Sequence, residues 1–165
     1  KWRPVIDLKE LNKFLVKKPF KMETAQTIRR SLKQGMWTYS IDLKDAYFHI
    51  PIHPKSRKYL RIEHKGKLFQ FKALPFGLAS APWIFTKVFT QIGVILRSRQ
   101  IPLHQYLDDW LGKQYRILAG IQDRDRSRSM CQRLGCFINW EKSDLLRKQE
   151  FDFVGVHYNL LEATV

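Results

Sequence analysis

Apolar and polar residues alternate over several short stretches of the chain, and this two-residue period predicts β-strands. In residues 36–43, apolar residues alternate with Thr38 and Ser40, so we predict a strand that ends at Asp42. Residues 58–72 contain two strand-like runs on either side of a glycine-containing turn, which is typical of a β-hairpin.

Two other stretches follow the period of an α-helix. We predict a short helix within residues 22–35, with Thr24 as its N-cap and Gly35 closing it. A longer helix is predicted to start in residues 74–82, where Ser80 can serve as the N-cap. Its apolar face, which is most simply explained by packing in the core, consists of Ile84, Phe85, Val88, Phe89, Ile92 and Leu96.

The C-terminal part of the chain is less regular. Residues 115–135 have the length of a helix that ends at Gly135, but their middle is strongly polar. The apolar stripe of this helix is thin and consists of Ile117, Ile121, Met130 and Leu134. Residues 136–140 and 150–158 are strand-like, with a basic loop between them. Because strands and helices alternate irregularly, we predict an α+β fold with a mostly antiparallel sheet.

Asp108 and Asp109 stand next to each other between two apolar runs, residues 101–107 and 110–113. This spacing predicts a second hairpin, with the carboxylates at or beside its tip. Two explanations of the pair are open. Aspartate is a favoured turn residue, so the pair can be a polar turn. Alternatively, Asp42 lies beside the hairpin, and three converging carboxylates would suit Mg²⁺.

Composition restricts the class of protein. The chain has 165 residues, of which 44% are hydrophobic, enough for one domain with a core. No apolar run approaches the roughly 18 residues of a membrane span, and the N-terminus has no signal-peptide pattern. The chain has only two cysteines, Cys131 and Cys136. Because it also lacks a secretion signal, we predict free thiols in an intracellular protein that is not secreted.

The net charge is strongly positive. Thirty Lys and Arg residues against 15 Asp and Glu give a formal charge of +15. The basic residues are distributed along the chain, which favours a folded surface that faces a polyanion, with nucleic acid before an anionic membrane. A cationic surface that serves only solubility is the alternative.

Six segments, taken in order along the chain, resemble the motifs of reverse transcriptases. They are "KWRPVIDLKELNKF", "WTYSIDLKDAYFHIPI", "ALPFGLASAPWIF", "YLDD", "LGCFINWEKS" and "FDFVGVHY". Their wording is closest to retrotransposon enzymes of the DIRS type or of long-terminal-repeat elements. The resemblance implies the fingers and palm of a right-hand polymerase, without the thumb and ribonuclease H domains. Fingers would be about residues 1–37 and 53–75, and palm about residues 38–52 and 76–158.

The resemblance also implies catalytic roles. Asp42 and Asp108 would be metal ligands, with the Leu43 carbonyl also available, and Asp109 would complete the acidic cluster. Lys142 would protonate the leaving pyrophosphate, although a surface lysine is an equally plain explanation. Two Mg²⁺ ions, or Mn²⁺ as a substitute, would assist the addition of dNTPs to a primer on an RNA or DNA template.

Binding residues are implied in the same way. The nucleotide would be bound by Arg3, by the backbone amides of Lys44 and Asp45, and by Tyr47, Phe76 and Gly77. Tyr47 would be the steric gate against a ribose 2′-OH, and Arg3 would reach the triphosphate. A core tyrosine and a surface arginine are their plainer alternatives. The primer or template would be contacted by Tyr106, Leu107, Phe153 and Gly155.

One segment departs from the family pattern. The pattern places a helix at residues 112–130, packed under the catalytic hairpin, but the polar middle of this segment would be costly to bury. Because this helix departs from the pattern and the thumb and ribonuclease H domains are missing, the chain can be inactive by itself. Two alternatives to catalysis are therefore open: a non-catalytic polymerase-like module, and a basic nucleic-acid-binding domain whose Asp42 and Asp108 lie far apart. The sequence leaves the oligomeric state open.

Overall fold

A computed structural model describes residues 6–145 and 148–161 as an α+β fold. Its helices are α1 (Lys9–Lys13), α2 (Ala25–Ser31), α3 (Ala81–Ser98) and α4 (Ile117–Arg133). Its strands are β1 (Trp37–Asp42), β2 (Arg61–His64), β3 (Lys67–Gln70), β4 (Leu103–Tyr106), β5 (Asp109–Gln114), β6 (Glu150–Phe153) and β7 (Val156–Asn159). All strand pairs among the described residues are antiparallel, which confirms the predicted fold class.

The chain divides into two compact units. The first consists of Lys1–Phe20 and Asp45–Lys87, and the second of Lys21–Lys44 and Val88–Val165. These boundaries are structural, and the naming of fingers and palm stays a prediction.

The second unit is built on a three-stranded sheet in the order β1-β5-β4. The register of β1 and β5 places Tyr39 opposite Gly112 and Asp42 opposite Asp109. The predicted strand that ends at Asp42 is therefore confirmed. The predicted hairpin is also confirmed. Of the two adjacent aspartates, only Asp108 lies in its turn, because Asp109 is already the first residue of β5.

Helix α4 packs on this sheet through a stripe of small and polar residues, and the predicted apolar stripe is only partly buried, with Ile121 and Met130 half-buried. Its buried residues are Gly120, Asp123, Ser127 and Cys131, whereas the predicted Ile117 and Leu134 are 37% and 58% exposed. The polar atoms are satisfied by the sheet: Tyr39 Oη lies 3.1 Å from Ser127 Oγ, and Gln114 Nε2 donates to Asp123 Oδ2 at 2.7 Å. Small side chains and paired polar groups thus replace apolar packing.

Helix α2 and the hairpin β6–β7 enclose a second part of the core. Its buried members are Ile28, Leu32, Leu111, Phe153, Tyr158 and Leu160. Thr24 caps α2 as predicted, since its hydroxyl accepts a hydrogen bond from the Thr27 amide at 3.1 Å. Gly35 does not end this helix, because α2 stops at Ser31 and Gly35, with φ +79°, forms the turn before β1.

Helix α3 has the predicted apolar face in most positions. Phe85, Phe89, Ile92 and Leu96 are buried, but Val88 is 48% exposed and lies outside the core. The helix begins directly after Ser80, with Pro82 in its first turn, where a missing N–H costs nothing.

The first unit contains the hairpin β2–β3, as predicted, and a separate core. That core is formed by Leu60, Leu74, Leu78 and Ala81. In the second unit, the strand predicted at residues 136–140 is reduced to one bridge between Leu43 and Ile138. No helix in the described part of the chain is long and apolar enough to cross a membrane.

Candidate active site

The tip of the β4–β5 hairpin is a tight turn with a fixed shape. Tyr106 and Asp109 pair across the ladder, and Leu107 adopts a left-handed φ of +50° between them. The buried Trp110 supports the turn, since its Nε1 donates to the Leu107 carbonyl at 3.0 Å. The acidic tip is therefore held from below by an indole ring.

The carboxylates of Asp42 and Asp109 meet because the two residues are direct partners in the β1–β5 ladder. Asp108 joins them from the turn, where its carbonyl accepts a hydrogen bond from the Leu43 amide at 2.9 Å. This bond extends the pairing of β1 by one residue past Asp42. The structure thus brings together the three aspartates that the sequence singled out.

Electrostatic crowding is visible at Asp109. Its burial, the charges of Asp108 and Asp42, and a hydrogen bond with Asp42 together raise its pKa from 3.8 to about 6. The positive charge of Lys142 lowers this pKa, so Lys142 acts electrostatically on Asp109 although its own side chain is exposed. Half-buried carboxylates that repel each other in this way are stabilised by a cation.

The backbone of Asp42 is held by two residues that sequence reasoning did not identify. The Asp42 amide donates to Ser143 Oγ at 2.9 Å, and the Asp42 carbonyl accepts from the Asn139 amide at 2.9 Å. The only sequence signal was that Ser143 follows Lys142 directly. These bonds fix the end of β1 from the side opposite to β5.

The segment that follows β1 differs in part from the expectation. The Lys44 amide, predicted to bind a triphosphate, donates instead to the Phe137 carbonyl at 2.8 Å. That amide is therefore engaged within the protein, because residues 136–139 pair with the end of the strand. Leu43 is 1% exposed, so its side chain belongs to the core.

The residues predicted to bind the nucleotide lie mainly in the first unit, where three of them lie together. Tyr47 packs on Phe76 with ring centroids 4.8 Å apart, and Gly77, which follows Phe76 directly, adopts φ +88°. Asn12 holds this loop, since its Nδ2 donates to the Gly77 carbonyl at 2.8 Å. Asp45 has a left-handed φ of +53°.

Arg3, the remaining residue predicted to bind the nucleotide, lies outside the described residues.

The predicted primer or template contacts fall into two groups. Tyr106 and Leu107 are half-buried on the hairpin, and Gly155 is exposed in the turn between β6 and β7. Phe153 is 6% exposed and packs in the core of the second unit. The Phe153 side chain is therefore part of the core, and a contact of this residue with primer or template stays a prediction.

The donor set suits a divalent cation that completes its shell elsewhere. Within residues 6–145 and 148–161, no three His, Cys, Asp or Glu side chains form a metal-holding cluster by themselves. Mg²⁺ is commonly bound by one or two carboxylates, with water and substrate phosphates as the other ligands. The hard oxygens of Asp42 and Asp108, and the raised pKa of Asp109, fit such a partial shell.

The comparisons with known proteins agree on one family. The family described as "Reverse transcriptase (RNA-dependent DNA polymerase)" matches residues 1–158. Protein P of duck hepatitis B virus (strain China) is 30% identical over 135 residues, which are 78% of this chain and 16% of that protein. The genome polyprotein of Petunia vein clearing virus is 28% identical over 159 residues, 96% of this chain and 7% of the polyprotein. The chain therefore spans a small part of these relatives.

Solved structures share the fold. The foamy viral protease-reverse transcriptase in complex with double-stranded DNA has a TM-score of 0.86 at 22% identity, covering 97% of this chain and 27% of that one. The same protein in complex with an RNA/DNA hybrid has a TM-score of 0.83 at 22% identity, covering 96% of this chain and 21% of that one. At these identities the likeness establishes the fold.

Proposed function

Since the chain belongs to the reverse transcriptase family, we propose that it forms the catalytic core of an RNA-directed DNA polymerase. It adds dNTPs to a primer 3′-OH on an RNA or DNA template. The fingers are formed mainly by residues of the first unit and the palm mainly by those of the second. The proposal includes that the chain is encoded by a retrotransposon of the DIRS type or the long-terminal-repeat type.

The pairing of Asp42 with Asp109, with Asp108 next to them in the turn, is the observation that carries the proposal. Asp42 and Asp109 face each other across one ladder position, and Asp108 is joined to the same strand through the Leu43 amide. A polar turn would not need a third acid from a distant strand. A basic binding domain with structural aspartates would leave Asp42 and the acid pair apart, whereas the register sets Asp42 opposite Asp109.

Each residue contributes to the reaction by holding a group in place. Asp42 and Asp108 hold the divalent ions, with the Leu43 carbonyl beside them, and Asp109 adds negative charge to the cluster. Two Mg²⁺ ions, or Mn²⁺ in their place, supply activation of the primer hydroxyl and stabilisation of the leaving pyrophosphate. Lys142 supplies a proton to that pyrophosphate. Tyr47 excludes a ribose 2′-OH from the space above its ring.

Binding of the template-primer follows from the charge. A net charge of +15 favours a phosphate backbone, with an affinity that falls steeply with salt. The foamy viral relative has been solved with double-stranded DNA and with an RNA/DNA hybrid, which supports the same class of ligand here.

The decisive experiment compares primer extension with duplex binding. We expect Asp108→Asn, in the full-length polypeptide, to abolish Mg²⁺-dependent extension on an RNA template while fluorescence anisotropy shows nearly unchanged duplex affinity. Asp125→Asn is the matched control, because Asp125 lies on α4 in an ion pair with Arg124. An equal loss of binding in Asp108→Asn would argue against a metal role. Absence of extension by the wild type would favour the non-catalytic alternative.

A further inference from the structure

Strand β4, which leads into the acidic tip, lies at an edge of the three-stranded sheet. Edge strands present backbone groups that another element has to cover. Glu23 does this here: its Oε1 accepts from the Gln105 amide at 3.3 Å, and its Oε2 accepts from His104 Nδ1. One carboxylate therefore binds two successive residues of β4.

The other side of the His104 ring is bound to helix α2. Its Nε2 lies 2.6 Å from Ser31 Oγ, and the Ser31 hydroxyl donates to the Ile28 carbonyl at 2.6 Å. Ser31 Oγ therefore joins the His104 ring to the backbone of α2. The side chains of His104 and Glu23 are only 12% and 28% exposed, so the bond between them is partly shielded from water.

These contacts have the composition of a Glu–His–Ser triad, but their geometry is that of a link between elements. A nucleophilic serine donates its proton to the histidine. The Ser31 hydroxyl is also bonded to the Ile28 carbonyl of its own helix at 2.6 Å, a contact that fixes it to α2. The serine therefore serves as an anchor on α2.

Strand β5 is anchored to the same helix. Lys113 Nζ donates to the Ser31 carbonyl at 2.9 Å, at the end of α2 where carbonyls lack helical partners. Burial lowers the pKa of Lys113, while the charge of Glu23 opposes this change. Helix α2 is thus bonded to both strands of the catalytic hairpin.

The other face of β4 is fixed by α3. Gln105 Nε2 donates to the Phe89 carbonyl at 3.0 Å. Gly93 makes room for this side chain, since a Cβ at position 93 would lie 1.8 Å from Gln105 Oε1. With Glu23 on one side and α3 on the other, β4 has little freedom to shift.

We propose that Glu23 and His104 are positioning residues that fix the catalytic hairpin, a role that rests on the proposed polymerase function. His104 and Gln105 directly precede Tyr106, which pairs with Asp109. A shift of β4 therefore reaches the aspartates within a few residues. Because a displacement of about 1 Å at a reacting centre can cost about a hundredfold in rate, loss of the Glu23 contacts lowers turnover although Glu23 lies outside the acidic cluster.

The test uses the full-length polypeptide with three variants. Glu23→Ala removes both contacts. Glu23→Gln keeps an acceptor oxygen of similar reach, so we expect it to retain much of the activity that Glu23→Ala loses. Glu23→Gln also replaces Glu23→Ala in the test if Glu23→Ala does not fold. Glu10→Ala is the matched control, since Glu10 is an exposed carboxylate paired with Lys13 on α1.

Three measurements separate positioning from simple stability. Hydrogen exchange at the Gln105 amide should accelerate in Glu23→Ala, with exchange in β1 unchanged. Mn²⁺ affinity, measured by electron paramagnetic resonance without substrate, should fall about tenfold, as it does when groups that orient metal ligands are removed. In primer extension, kcat per active site should fall about tenfold while the KM for dNTP stays within about twofold.

The outcomes are distinguishable. Unchanged exchange at Gln105 would overturn the proposed clamp. Faster exchange with unchanged Mn²⁺ affinity and kcat would show that the clamp does not position the aspartates, and a proportional loss in all variants would indicate stability alone. If the wild type binds Mn²⁺ but extends no primer, the polymerase function fails, and the Mn²⁺ affinities still decide the positioning.

Discussion

Gly112 lies against the ring of Tyr39, and we expect Gly112→Ala to destabilise the protein strongly. A Cβ at position 112 would lie 2.1 Å from Tyr39 Cζ and 2.5 Å from its hydroxyl oxygen. The ring is held in place, because Tyr39 is 2% exposed and its hydroxyl is hydrogen-bonded to Ser127 at 3.1 Å.

The size of the effect follows from two costs. Forcing a methyl group into a packed core costs about 1–3 kcal/mol. Moving the ring also breaks the buried bond between Tyr39 and Ser127, and leaving those groups without partners costs about 1–3 kcal/mol. We therefore expect the free energy of unfolding to fall by roughly 2–6 kcal/mol in Gly112→Ala.

The assay is equilibrium unfolding in denaturant, with Gly120→Ala as the control. Gly120 lies inside α4, and a Cβ there would meet only Gln114 Cβ at an ordinary 3.7 Å. Because alanine is the better helix former, Gly120→Ala should raise the free energy of unfolding by about 0.5–1 kcal/mol. The same glycine-to-alanine change thus has opposite signs at two sites.

A double-mutant cycle can refute this reasoning. In a Tyr39→Leu background the ring is gone, so Gly112→Ala should cost much less than in the wild type. If the cost is the same in both backgrounds, or below about 0.5 kcal/mol in the wild type, the ring does not occupy the space above Gly112.

Four further predictions address single sites. Thr24→Ala should lower the free energy of unfolding by about 1 kcal/mol through loss of the α2 cap, whereas an unchanged midpoint in denaturant would contradict the cap. Ser127→Ala leaves the buried Tyr39 hydroxyl without this partner and should cost about 1–2 kcal/mol, absent in a Tyr39→Phe background. The pKa of Asp109 is raised from 3.8 to about 6, so the folded state holds a proton that the unfolded state has lost, and stability falls as pH rises through this window. Metal-free Asp109→Asn should therefore melt above the wild type at pH 8 but not at pH 4, and equal melting temperatures at pH 8 would refute this. Tyr47→Val should admit ribonucleotides in primer extension, and an unchanged dNTP/rNTP preference would remove Tyr47 from the gate.

Local pattern predicted the elements whose partners are near in sequence. The hairpins and β1 follow from alternation and turn residues, and the Thr24 cap is a local bond. The acidic pair was placed correctly for the same reason, because the apolar runs on either side of it are the two strands of one hairpin.

Helix α4 was misjudged because its partners are remote. Hydropathy alone predicts that Asp123 and Ser127 are exposed to solvent, because both side chains are polar. Their burial depends on Gln114 and Tyr39, which supply the compensating hydrogen bonds. The network of Glu23 and His104 was missed for a similar reason: its members are 81 residues apart, and no spacing rule connects them.

The register of one ladder connects the stability of this sheet with its chemistry. In the β1–β5 pair, the alignment that sets Tyr39 against Gly112 also sets Asp42 against Asp109. A slip by one residue would place the Tyr39 ring against Leu111 or Lys113 and would turn the side chains of one strand to the other face. The glycine that accommodates the ring therefore selects the one alignment in which the carboxylates meet. Burial and the charges of Asp108 and Asp42 raise the pKa of Asp109, so the charged aspartates gain nothing from their own proximity. The packing of Tyr39 against Gly112 therefore helps to hold them in place before a cation binds.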